Sequence, residues 1–244
     1  MAWELESIPD ALSERFKQSH FKHISVHELI NRNLAEQIIE AIYTFVRSPQ
    51  HHPLQPKLLC VSLHSRGGSL YEALRIVEAL QRASRYCTVS TVADTSVYSS
   101  AVPIFLAGEP GFRFASRHAV MLIHPAVIHS SSPLSESPPS LGAPENQPVT
   151  KSAQQQQQQL HQVHRLQKQV DQLLLDALPS NALRKEFLEE RKLHQKQEWY
   201  LDAETLLHYG LVDHLEVPVF THQIQYRPRL VVGRRKVVSV PLKP

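Results

Sequence analysis

Glycine is scarce in this chain, seven residues in 244, and neither the P-loop spacing nor the dinucleotide fingerprint occurs. ATP binding by the chain itself is therefore not expected, and neither is any cofactor. Cysteine is scarcer still. Cys60 and Cys87 each lie inside a β-like run (LLCVSL and YCTVSTVA), which excludes a disulfide framework and fits small buried hydrophobes in a reducing compartment. Long hydrophobic runs are missing, none approaching the ~20 residues that span a bilayer. The opening stretch MAWELESIPDALSERF has no apolar segment of the signal-peptide type, so a cytoplasmic location is expected. An excess of one charge is missing too. With 26 Lys and Arg against 23 Asp and Glu, the net charge of +3 gives no electrostatic reason to expect nucleic acid or a membrane as partner.

What is present is an ordinary globular composition, 42% apolar and 20% charged, long enough for a sizeable core. Residues 1–22 form a polar leader. HISVHELI (23–30) alternates like a strand, and LAEQIIEAIYTFV (34–46) sets Leu34, Ile38, Ala41, Ile42 and Phe45 on one helical face, with Asn33 as expected N-cap. KLLCVSL (57–63) is a continuous apolar run suited to a parallel strand covered on both faces. The helix LYEALRIVEALQRA, the strand YCTVSTVA (86–93), the short apolar helix SSAVPIFLAG and the strands RFAS and AVMLIH follow. This alternation predicts an α/β fold with a largely parallel sheet flanked by helices.

At residue 129 the composition shifts to a Ser/Pro-rich segment ending in six glutamines, 129–159, read as a mobile insertion. Helical periodicity returns over 160–178, a second charged helix follows, and LDAETLLHYGLVDHLEV reads as a helix stopped by Gly210 and then a strand. The basic tail, 218–244, alternates like two strands around Gly233 and reads as a solvated hairpin or arm.

Two stretches could carry chemistry. In SRGGS (65–69) a glycine pair joins a buried strand to an amphipathic helix, leaving backbone N–H groups uncovered as a strand-to-helix turn or half of an oxyanion hole. In YSSA (98–101) two serines stand at the mouth of an apolar helix, and His124 closes an apolar strand, with Pro125 restricting its torsions. In a parallel sheet both turns emerge at one C-terminal edge, where sites form. Taken singly, Ser99 reads as a cap and His124 as a core histidine; together they read as nucleophile and general base.

Here the chain resembles the Clp protease proteolytic subunits, serine peptidases of the ClpP/crotonase-like superfamily. SRGGSLYEALRIVEALQ is similar to the family's Ser-Pro-Gly-Gly-Ser turn and helix, SSAVPIFLAG to its nucleophile helix, RFASRHAVMLIHP to the stretch ending in the catalytic histidine, and WYLDAETLLHYGLVDHL to its C-terminal block. ISVHELINRNLAEQIIEAI fits the opening strand and helix. The likeness covers 23–217 apart from the insertion. It implies a sheet of repeated β-β-α type units with a C-terminal strand extension. It also implies Ser99 as nucleophile, His124 as base, and the Gly68 and Ser100 amides as oxyanion donors. Polypeptide substrates, a homo- or hetero-oligomeric ring and an AAA+ ATPase unfoldase follow from the same resemblance.

The sequence departs from the family pattern in four places. An ungapped match sets His194 where the family has its triad aspartate, with Glu189, Glu190 and Glu198 as the carboxylates nearby. Tyr98 stands where the family prefers a small residue, and Pro125 follows His124 directly, whereas the family has one residue between. The 129–159 segment enters where the family has the strand and helix of its ring–ring handle. A catalytically weak subunit of a mixed ring is the alternative those departures leave open. A crotonase-like acyl-CoA enzyme would need a carboxylate at the base positions, where Ser and His stand instead. Fifteen histidines, including the adjacent His51 and His52 and the helical pair His161 and His164, form no recognisable metal-ligand set, and no metal is expected.

Overall fold

The computed structural model describes residues 20–49, 56–126, 153–194 and 197–217. Of the leader read over 1–22, residues 1–19 lie outside the described residues, whereas His20, Phe21 and Lys22 belong to the first strand because they pair in register with Lys57, Leu58 and Leu59. Most of the Ser/Pro-rich insertion and the basic tail also lie outside the described residues. Along the chain run β1 (His20–Val26), α1 (Arg32–Arg47), β2 (Lys57–Ser65), α2 (Leu70–Ala83), β3 (Thr88–Tyr98) and α3 (Ala101–Leu106). Then come β4 (Arg113–Ala115), β5 (Val120–Ile123), α4 (Ala153–Ala177), α5 (Asn181–Leu193), β6 (Trp199–Asp202) and α6 (Ala203–His208).

The six strands make one sheet in the order β1-β2-β3-β5-β6, with β4 beside the first half of β3. All pairings are parallel except β5 with β6. This is the mostly parallel, helix-flanked α/β sheet that the alternation of strands and helices predicts. β2 owes its central place to composition: Lys57 through Leu63 are all buried, as both-face coverage requires. Ile24, Val26, Leu59, Val61 and Leu63 point to the helical layer, where Ile38, Ile42 and Phe45 of α1 and Ile76, Val77 and Leu80 of α2 meet them. The opposite face holds a smaller cluster of Leu58, Cys60, Val92, Phe112 and Phe114.

Local chemistry fixes the helix ends. The N-cap of α1 is Asn31 and not Asn33: its side chain accepts from the Leu34 amide at 2.9 Å, the reach of a cap to its third helical residue. At the other end Lys57 donates to the carbonyls of Phe45, Val46 and Ser48, so a buried ammonium satisfies the last turn of α1 from the start of β2. α4 begins at Ala153, inside the stretch read as a loop, because glutamine is a good helix former and the run continues the helix upstream.

The strand expected after Gly210 is not present over 211–217. Asp213 is drawn instead onto β4, where Arg113 is 5% exposed in its side chain: the carboxylate accepts from the Arg113 guanidinium and from the Gly111 and Arg113 amides, and only His214 makes a bridge, to Phe114. No helix among the described residues is long and apolar enough to cross a membrane.

Candidate active site

Three chain segments converge at the C-terminal ends of β2, β3 and β5. The first is the glycine turn after β2. Gly67 and Gly68 have φ of +92° and +140°, torsions that side chains rarely tolerate. A Cβ on Gly68 would lie 2.3 Å from the Ile30 carbonyl oxygen, and one on Gly67 would lie 2.8 Å from the Ser99 Cβ. The turn is thus pressed between the chain ahead of α1 and the candidate nucleophile. Gly68 forms a parallel bridge with Ile30, in which Ile30 N–H donates to Gly67 and Ser69 N–H donates to Ile30. A parallel ladder uses the flanking groups, so the N–H of Gly68 itself points away from Ile30.

The second segment is the tip between β3 and α3. Ser99 has φ +55°, making it the one non-glycine residue with positive φ among the described residues. Such a conformation costs on the order of 1–3 kcal/mol and persists only where surrounding structure dictates it. Here its amide donates to the Leu122 carbonyl at 2.9 Å, and its own carbonyl accepts from Val102. The turn separates the two serines. Ser99 is half-buried, whereas Ser100 is 3% exposed and its Oγ has no hydrogen-bond partner. An attacking hydroxyl has to reach solvent-borne substrate, and of the pair Ser99 meets that requirement.

The third segment is the end of β5. Tyr98 pairs with Leu122 on one side, and Leu122 pairs with Tyr200 of β6 on the other. The two tyrosine rings meet edge-on, 6.1 Å between centroids. Tyr98 therefore leans across Leu122 towards β6. His124 follows two residues after Leu122 and is half-buried. No hydrogen bond joins the Ser99 hydroxyl to the His124 ring; the His124 Nδ1 lies 2.7 Å from the carbonyl oxygen of Pro125.

None of the candidates for a third member, His194, Glu189, Glu190 or Glu198, is hydrogen-bonded to that ring, whose Nδ1 contact is to Pro125. His194 ends α5 and stacks flat on Trp199, 5.5 Å between centroids. Glu189 pairs with Lys185, and Glu198 accepts from the Tyr200 hydroxyl at 2.6 Å. The β5–β6 register pairs Ile123 with Trp199, so one further step sets Glu198 across from His124. Sequence spacing did not single out Gln167 and Asp171 of α4. Gln167 Oε1 accepts from the Ala126 amide at 2.8 Å, and Gln167 Nε2 donates to Asp171 at 2.7 Å. A four-residue spacing on one helix face was the only signal available.

A family model for Clp protease matches residues 11–136, just over half the chain, and this span contains Gly68, Ser99, Ser100 and His124. The chain belongs to the Clp protease family. A mutant ClpP1 from Listeria monocytogenes has a similar solved structure, with a TM-score of 0.56 at 16% identity, covering 79% of this chain and 89% of that one. At that identity the likeness speaks for the fold. No curated protein matches. The Clp family match ends before α4, so the stretch holding His194, Glu198 and Asp171 rests on geometry alone.

As to metal, the described residues hold no group of three or more His, Cys, Asp and Glu side chains suited to an ion. Burial pushes the thiols up, Cys60 to about 12 and Cys87 to about 11, so neither supplies a thiolate nucleophile near neutral pH.

Proposed function

We propose that this Clp-family chain is a serine-type endopeptidase subunit that cleaves polypeptides through an acyl-enzyme on Ser99. The observation that carries the reading is the strained, half-buried Ser99 held between the glycine turn and the end of β5. Its hydroxyl oxygen attacks the scissile carbonyl carbon while its proton passes to Nε2 of His124. The tetrahedral oxyanion is met by the Gly68 and Ser100 amides. The C–N bond then breaks, and His124 returns the proton to the leaving amine. Water, deprotonated by the same ring, hydrolyses the acyl-enzyme.

Labelling with a fluorophosphonate tests this. Ser99 Oγ forms a bond to phosphorus as fluoride departs, so wild type becomes tagged and Ser99→Ala and His124→Gln do not. Equal tagging of wild type and Ser99→Ala would end the reading.

Within the same proposal the chain acts in a cyclic homo- or hetero-oligomer in the cytoplasm, fed by an AAA+ ATPase unfoldase. A second reading is favoured by His194, which stacks on Trp199 at the position where the family resemblance implies an aspartate. On that reading the chain is a catalytically weak or inactive subunit of a mixed ring. Absence of tagging, together with co-purification in a ring with an active Clp subunit, would establish it.

A further inference from the structure

We infer that Gln167 and Asp171 are positioning residues for His124, acting through the peptide unit between Pro125 and Ala126. The inference rests on the peptidase reading for its consequence, but on hydrogen bonds for its substance.

A carbonyl oxygen can only accept. The 2.7 Å contact between His124 Nδ1 and the Pro125 oxygen therefore places a proton on Nδ1. In the neutral ring the lone pair then sits on Nε2, the nitrogen that must take the serine proton. In a Ser-His-Asp triad an aspartate at Nδ1 fixes this tautomer. Here a backbone carbonyl makes the equivalent contact.

A carbonyl orients a ring only if its own plane is held. The Pro125 C=O and the Ala126 N–H belong to one planar unit and point in opposite directions. The Ala126 N–H donates to Gln167 Oε1 at 2.8 Å, so the plane is fastened on the side away from the histidine. Gln167 is fastened in turn, because its Nε2 donates to Asp171 Oδ1 at 2.7 Å, and Asp171 is anchored by the Arg191 guanidinium from α5. The bonds run in one sense, from the imidazole N–H to the peptide, to the amide, to the carboxylate. Each acceptor is polarised by the next, and the Arg191–Asp171 ion pair fixes the far end of the chain in place. The position where the resemblance implies the acid holds His194, which faces Trp199. Glu198, across from His124 in the β5–β6 register, accepts from the Tyr200 hydroxyl. The carboxylate that reaches His124 by hydrogen bonds is therefore Asp171 on α4, acting through a main-chain group.

The test uses the full chain, with Gln167→Leu and Asp171→Asn beside wild type and His194→Gln. Two readouts are taken. Long-range ¹H–¹⁵N NMR of ¹⁵N-histidine protein, with the His124 signal assigned by its loss in His124→Gln, reports which ring nitrogen is protonated. Fluorophosphonate tagging gives the rate at Ser99. The expected result is the Nδ1–H tautomer in wild type and His194→Gln, and loss of that preference in Gln167→Leu. Tagging should slow about 10²-fold in Gln167→Leu, the cost of an ångström-scale misplacement, and by less in Asp171→Asn, which keeps an acceptor. Thermal unfolding of each variant identifies any that does not fold. An Nε2–H tautomer in wild type, or an unchanged tautomer and rate in Gln167→Leu, overturns the inference. Wild type that is never tagged overturns the peptidase reading instead, and the tautomer measurement still decides the positioning chain.

Discussion

The amide of Ser99 donates to the carbonyl of Leu122, two residues ahead of His124, at 2.9 Å. One ladder bond thus sets the relative height of the two strand ends that carry the hydroxyl and the imidazole. It also explains how a serine is kept at φ +55°: the turn cannot relax without giving up a buried strand contact.

Gly68→Ala bears directly on the site. The added methyl would meet the Ile30 oxygen at 2.3 Å, at a φ of +140°. The turn has to move away from Ile30 and carry the candidate oxyanion amide with it. Fluorophosphonate tagging should fall by about 10²-fold or more, as for loss of an oxyanion donor. Thermal unfolding should show a loss of about 1–3 kcal/mol. Unchanged tagging would remove Gly68 from the oxyanion site.

Asp213→Ala tests the clamp on Arg113. The substitution leaves a nearly buried guanidinium unpaired, along with the Gly111 and Arg113 amides. Urea unfolding should register a loss of about 3–5 kcal/mol. The double replacement Arg113→Met with Asp213→Leu should cost less than Asp213→Ala alone, since it leaves no charge stranded.

Asp202 gives a pH-dependent prediction. It is the N-cap of α6, and the Thr205 hydroxyl and amide hold its carboxyl below the usual carboxylate range. A lowered folded-state value stabilises the fold fully above the ordinary pKa of about 3.9, and that contribution is lost as pH falls through the lower value. Asp202→Ala should therefore cost about 1 kcal/mol at pH 7, with the gap to wild type closing in strong acid. Asp202→Asn, which still caps, should lie near wild type at pH 7. Urea midpoints across this range check it.

The two thiols should be silent. With values near 12 and 11, Cys60 and Cys87 stay protonated at pH 8, and both are buried. A thiol-reactive dye should count none in the native chain and two after denaturation. Rapid native reaction would show that the core opens locally.

Much of this was legible in the chain itself, and the reason is locality. β2 announces itself because burial on both faces demands an unbroken apolar run, and α1 and α2 because a buried face recurs every three or four residues. The glycine pair and the serine pair stand out because a tight turn and an exposed hydroxyl are properties of adjacent residues. Tertiary structure decided what lies between distant segments. Asp213 reaches Arg113 across 100 residues, where spacing suggested only another strand. The peptide between Pro125 and Ala126 is held by Gln167 across 41 residues, a main-chain to side-chain bond that leaves no periodic trace. Which of Ser99 and Ser100 is the less buried followed from one torsion angle, set by a carbonyl on the neighbouring strand. Sequence determines what each residue can donate, accept or bury; only the fold decides which partner stands within three ångströms of it.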